Sequence, residues 1–485
     1  MAHHHNTSVN LDEKFVFSSE IKKKLFILIG VGVILVIIGI FLAKYQEEHG
    51  HHSEHSSAET TLVVDAHASV AHTTEDVSAH GEAVAEDKAE AHATDGEEVH
   101  AGHGAEAHVE GAEHHKPIWA LRLIKDLWQN NIFFAGIAVM GVFFVAFNYV
   151  AWAGWSAGLK RVPSAFGNYL WVAAPLTILL FVVFGHDIFH WTHEDLYIVG
   201  SEHYDELLAG KRAFLNTPGF IIRTMIYFGL WILCWTKLRS YAKNEDLDGD
   251  TKWWHKSTIT SSFFLIVFGI TSSMAAWDWA MSIDPHFFST MFGWYVFASW
   301  FITALAFITL IVVVLKDNGY LSIINENHLH DLGKFIFAFS IFWTYIWFEQ
   351  FLLIYYANIP EEVGYFVQRL KTDAYTPIFF LTLFLNFFFP FLVLMTRGSK
   401  RLGIMLKIVC VVVILGHWFD FYMMTTPPIL GQHGGLDGIF FFMELGLGMI
   451  FLGVFLFMFL TALSKLNLIA KNHPMIQESI HHDVF

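Results

Sequence analysis

Apolar runs about twenty residues long recur along the chain, separated by short polar segments. A helix needs about 20 residues to cross a hydrocarbon core of ~30 Å. Ten runs meet that length: Leu25–Ala43, Ile132–Trp152, Tyr169–His190, Gly219–Thr236, Ser257–Ala276, Gly293–Leu315, Gly333–Tyr355, Pro377–Thr396, Gly403–Met423 and Gly438–Leu463. In lipid a backbone must satisfy its own hydrogen bonds, and runs this long and aromatic suit helices rather than the alternating strands of a barrel. The pattern predicts an all-α, polytopic membrane protein of about ten transmembrane helices.

The polar segments divide the chain into residues 1–44 (N-terminus and first span), 45–115 (linker), 116–463 (main membrane domain) and 464–485 (tail). Gln46–His115 holds 13 His, 17 carboxylates and one Lys, with no Phe, Trp or Tyr. Such a segment cannot bury a core and is expected to be disordered. Its histidines are weak metal-ligand candidates, since they show no repeated ligand spacing. Lys116–Asn131 mixes apolar and basic residues with two Trp, which predicts a short helix lying in the interface before the second span. Lys44 and the acidic run follow the first span without a small-residue cleavage pattern, so that span should be retained. Flanking segments on the N-terminal side carry 18 Lys and Arg against nine on the other. This bias puts both termini in the cytoplasm.

Composition narrows the chemistry. Of the 485 residues, 54% are hydrophobic and only 15% charged, against about 25% charged in an ordinary soluble domain. The net charge of −16 is matched by the linker's excess of carboxylates, so the rest is balanced. No basic patch interleaved with aromatics stands out, and nucleic acid is not an expected partner. Two cysteines, with no C-x-x-C or C-x-x-C-H, give no basis for a Cys-ligated cluster or an attached haem.

Ionisable side chains inside spans are costly and point to function. The third span ends Gly185-His186-Asp187-Ile188-Phe189-His190-Trp191, placing His186 and His190 on one helical face. The seventh carries Glu349 among aromatics, the ninth ends with His417 and Asp420 one turn apart, and the tenth begins with Glu444 near its start. The loop after the fifth span, Trp277–Thr290, adds Asp278, Asp284 and His286 between two aromatic-rich runs. It should form a short interfacial helix and turn, whose Asp residues either cap helix ends or act in the chemistry. At 1.5 Å per residue these groups should lie within about 10 Å of the outer surface, making the polar chemistry one-sided. Glu349 and Glu444 are equally readable as neutral, hydrogen-bonded acids. Oxidation of a quinol would use such a cluster, because an apolar aromatic pocket seats the ring and His or carboxylate groups take its protons. Asn148, Thr177, Ser272, Ser340, Thr344, Asn386 and Lys407 are scattered polar groups that either line a proton path or bond across helices. A haem b would need histidines from facing helices, for which His186 with His417 is the one tempting pair. Val182–Trp191 (VVFGHDIFHW) and Val413–Tyr422 (VILGHWFDFY) echo one another, hinting at repeated bundles.

The ten-span plan, Trp277–Phe297 (WDWAMSIDPHFFSTMFGWYVF) and Gly416–Pro428 (GHWFDFYMMTTPP) resemble the polysulfide-reductase/NrfD-like membrane subunits, closest to the F-subunit branch of alternative complex III. The resemblance covers Lys116–Leu463. It implies two four-helix bundles, spans 2–5 and 6–9, flanked by spans 1 and 10. It also implies an integral subunit of a quinol:cytochrome c, or other high-potential acceptor, oxidoreductase in a bacterial inner membrane. A paralogous membrane subunit and peripheral iron–sulfur and multihaem cytochrome c subunits would be partners. Quinone or quinol, menaquinone included, would be the substrate, with no haem or iron–sulfur cluster in this chain. The groups matching the family's quinol or proton region are His186, Asp187, Asp278, Asp284, His417 and Asp420, to which the residues themselves add His190, Glu349 and Glu444. Two alternatives stay open: a structural, proton-conducting subunit that binds no quinone, and a secondary transporter coupled through Glu349, Asp420 and Glu444. No pair of broken spans in matching positions supports the transporter.

Overall fold

In the computed structural model, residues 11–65, 116–435 and 441–483 are described, with 46–65 as backbone only. Their α-helices are α1 (Ser19–Asp65), α2 (Ile118–Val150), α3 (Arg161–Phe166), α4 (Leu170–Ile188), α5 (Glu206–Lys211), α6 (Thr217–Asp248), α7 (Thr251–Trp279), α8 (Phe292–Asp317), α9 (Glu326–Ala357), α10 (Pro360–Lys371), α11 (Thr376–Leu383), α12 (Phe389–Val393), α13 (Gly403–Leu430), α14 (Phe441–Leu463) and α15 (Ile476–Ile480). Among the described residues there is no β-strand, only an isolated bridge between Lys14 and Asn467. Ten helical stretches among the described residues are long and apolar enough to span a membrane. The chain is an all-α, multi-pass membrane protein.

Residues Lys44–Pro117 form a unit separate from the rest. Within it α1 continues as helix to Asp65, so the start of the expected disordered linker is helical; residues 66–115, with most of the candidate metal-binding histidines, lie outside the described residues.

Local chemistry sets the helix boundaries in the main unit. Asn216 caps α6 by accepting from Gly219 N–H at 2.8 Å, with Pro218 behind it, and Asp250 caps α7 through Lys252 N–H at 2.8 Å. Between α6 and α7, Gly249 takes a left-handed φ of 65° that a side chain would strain. The eighth span is interrupted by a π-turn over Phe384–Phe388, two residues before Pro390, which lacks an N–H.

The helices pack as two groups of four. One holds α2, α4, α6 and α7, the other α8, α9, α11 with α12, and α13. The first helix of each group, α2 or α8, is buried over most of its length, because α2 also touches α8, α13 and α14. α14 lies on α2 and α3, and α1 lies on α14 through small residues. Gly32 and Gly446 let the two backbones approach so closely that a Cβ on Gly446 would sit 2.7 Å from the Gly32 carbonyl oxygen. The end where α2 begins is called upper below, and the end where it finishes lower.

Four expectations are corrected. Lys116–Asn131 is no interfacial helix: Ile118–Val150 is one continuous helix, and Arg122, Lys125 and Asp126 are fully buried in it. His186 and His190 do not share a helical face, because α4 ends at Ile188 and extended Phe189 turns the chain away. The echoing stretches sit in unequal places, at the end of the second helix of one group and within the last of the other, so they do not mark a repeat. Finally, α13 runs on to Leu430, leaving His417 roughly 20 Å along the axis from the helix end rather than about 10 Å.

Candidate functional site

The nine candidates separate into three buried groups and a surface set. The first group centres on α13, whose helical spacing brings His417 Nδ1 to 3.6 Å from Asp420 Oδ2. Both side chains are essentially inaccessible. Asp420 accepts hydrogen bonds from Tyr295 Oη of α8 and from Trp343 Nε1 of α9, the latter at 3.0 Å. His417 Nδ1 lies 2.9 Å from Ser299 Oγ, and its Nε2 has no partner. The Trp343 ring meets the imidazole edge-on at 5.4 Å. Beside Asp420 is a cavity of about 20 Å³, walled by Trp347, Gln350, Phe379 and Leu383 and closed by Tyr365 and Arg369 of α10. That volume suits one water and no ring. Trp347 and Leu383 are only half-buried, so they form the thin part of the wall.

The second group forms where α14 starts. Glu444 Oε1 lies 3.2 Å from Arg122 Nη1 and 4.0 Å from Lys125 Nζ, which is itself 2.5 Å from Asp126 Oδ1. Arg122 also donates to the His433 and Gly435 carbonyls, and Lys125 sits 4.2 Å from the centre of the Tyr422 ring. Two cations and two carboxylates thus neutralise each other, which is what lets this stretch of α2 be buried.

The third group joins α6 to α7. Asp278 takes a two-pronged contact from Arg223, Nε at 3.0 Å and Nη2 at 2.7 Å, plus a hydrogen bond from Tyr227 Oη at 2.8 Å. This saturates the carboxylate and leaves it tied to a cation. Asp278 therefore neither caps a helix nor opens onto the Asp420 cavity.

His186 and His190 are exposed, and Asp187 is partly exposed beside them. His186 Nδ1 contacts Thr192 Oγ1 at 3.0 Å, and His190 is held below its usual value by partial loss of solvent around its ring and then by the nearby His193 and His286. His186 and His417 belong to different helix groups with separate surroundings and do not form a haem-binding pair. Asp284 is half-buried in the loop, where a short 3-10 turn over Met281–Ile283 stands in place of the expected interfacial helix. The neighbouring His286 Nε2 reaches Asp205 Oδ2 at 2.6 Å. Burial alone would raise Asp205, but hydrogen bonds from the Leu208 N–H and from His286 outweigh it and hold the carboxyl below its usual range. Glu349 is half-buried on α9, with Oε2 shielded and unpartnered, away from the cavity.

Ionisable groups are not confined to the upper end. At the lower end Lys160 Nζ lies 3.7 Å from Glu245 and donates to Tyr149 Oη at 2.8 Å, while Arg161 pairs with Asp246 at 2.7 Å. Among the scattered polar groups, Asn148 bonds the Phe144 carbonyl and Thr344 the Ser340 carbonyl of their own helices, while Thr177 donates to the Ala173 carbonyl and accepts across helices from Asn131 of α2 at 2.7 Å. Lys407 pairs with Asp317 at the surface.

Sequence reasoning found His417, Asp420, Asp278 and Glu444 but missed Tyr295, Trp343, Arg369, Arg122 and Arg223. Arg223 carried a usable signal, being a lone cation inside a predicted span. Searches against family models and against curated proteins return no match.

Proposed function

We propose that this chain is an NrfD-like membrane subunit of a quinol-oxidising respiratory complex in a bacterial inner membrane, with both termini cytoplasmic and the upper end outward. The observation that carries this reading is the Asp420–His417 pair beside an aromatic-walled cavity, with Tyr295 and Trp343 donating to the carboxylate. Quinol oxidation breaks two O–H bonds. In this reading Asp420 and His417 accept the ring's protons, and two electrons leave singly to an iron–sulfur or haem acceptor in a partner subunit. The ring occupies the site only when Trp347 and Leu383 move outward. Asp278 and Glu444, each held by arginine, serve the scaffold in this scheme rather than the chemistry.

The test uses the intact complex in native membranes and a photoreactive quinone analogue. Labelling of α9, α10 or α13, together with an Asp420→Asn variant that assembles yet oxidises quinol at least about tenfold more slowly, supports the reading. Label found exclusively on another subunit refutes it and favours a second reading, a scaffold that binds no quinone. The small volume of the closed cavity is the observation on that side.

A further inference from the structure

Arg369 closes the cavity from α10 and is 2% exposed. Its Nε donates to the Met423 carbonyl at 2.9 Å and its Nη1 to the Tyr365 carbonyl at 2.7 Å. The guanidinium lies 3.4 Å from the centre of the Tyr365 ring. Nη2 is shielded and has no hydrogen-bond partner. Among the described residues no carboxylate is in ion-pair contact with Arg369, in contrast to Arg122, Arg161 and Arg223. A buried cation held only by carbonyls and a ring face is poorly compensated, and this one faces the same cavity as Asp420.

The donor set defines what would satisfy it. Nη2 needs an acceptor oxygen, preferably one with negative charge. Trp347 supplies an aromatic surface for a planar ring, and Asp420 accepts from a hydroxyl. A ring with oxygens at two positions meets all three demands.

We propose that Arg369 is the second oxygen-binding group of this site: its free Nη2–H bonds the ring oxygen that does not reach Asp420, so the site holds quinone or an anionic ring more tightly than neutral quinol. The inference rests on the quinol reading above. The neutral quinol hydroxyl is the weaker acceptor, and the charge on Arg369 grows in value as negative charge develops on the ring.

The test uses the assembled complex with three probes: the photoreactive quinone, the quinone/quinol couple, and a 2-alkyl-4-hydroxyquinoline N-oxide as an anionic ring. In Arg369→Gln the N-oxide and quinone should bind about tenfold more weakly or worse, while quinol affinity changes less than threefold. Arg369→Lys, which keeps the charge but loses the fork, should recover part of the N-oxide affinity and serves as the reading variant where the glutamine form fails to assemble. Wild-type affinities for quinone and N-oxide in either assembled variant, or an equal loss for quinone and quinol, overturn the inference while leaving the quinol site standing. Absence of label on this chain in the wild-type complex overturns both.

Discussion

Replacing Asp278 by leucine separates a structural carboxylate from a chemical one. The side chain is fully buried and makes two charge-assisted bonds to Arg223, at 2.7 and 3.0 Å. Its removal leaves the Arg223 guanidinium, 16% exposed, without its counter-ion. A broken buried pair costs about 3–5 kcal/mol, and the partial exposure of Arg223 puts this case near the lower figure. The Tyr227 hydroxyl also loses its acceptor, adding about 1 kcal/mol. The sum is roughly 4 kcal/mol of lost stability. Adding Arg223→Met removes the stranded charge, at the expense of a cation–π contact with Phe214 at 4.0 Å worth about 0.5–1 kcal/mol. The double variant should therefore be more stable than the Asp278→Leu single, with a coupling of at least about 2 kcal/mol. Reversible unfolding in mixed detergent micelles, followed by tryptophan fluorescence, measures each corner of the cycle. Additive effects, or a loss under about 1 kcal/mol for the single variant, would refute the argument. So would an Asp278→Asn complex of normal stability whose quinol oxidation falls tenfold, since that carboxylate would then act in the chemistry.

Other consequences are open to direct measurement. Gly446→Leu forces side-chain atoms against the Gly32 carbonyl and Val36 and should weaken docking of α1 by about 1–3 kcal/mol; disulfide cross-linking of cysteine pairs placed on α1 and α14 reads this, and undiminished cross-linking argues against the contact. His473, in the tail after α14, is pushed down to about 2 by burial and then by Lys160 and Arg161. An unfolded tail would have an ordinary value of about 6.5. Its contribution is therefore fully present above about pH 6.5 and declines as pH falls below that, by up to about 1.4 kcal/mol per unit. The protection factors of the tail amides, which are exchange rates corrected for the base-catalysed intrinsic rate, should fall on acidification in the wild type and lose most of that dependence in His473→Phe.

The helical spans were readable because hydrophobic length alone marks them. Burial of charge was not. Arg122, Lys125 and Asp126 look like the polar edge of an interfacial helix until Glu444, over three hundred residues away, neutralises them, and no local pattern announces that meeting. The His417–Asp420 pair was legible because a helical turn fixes the spacing within one helix. Tyr295, Trp343 and Arg369 reach the same spot from three other helices, α8, α9 and α10, so only the packing identifies them. Asp278 was visible as a carboxylate at a helix end, but its partner on α6 decides what it does.

The tie between Arg122 and Glu444 has a consequence for biosynthesis. The ribosome delivers α2 to the bilayer long before α14 exists, so a cation destined for the interior must wait at the aqueous edge, or borrow a temporary counter-ion, until the final hydrophobic helix emerges. A segment made late thus licenses an early one to settle. Chains stopping short of Phe441 should be cleared by membrane quality control even though the other nine candidate spans among the described residues are intact.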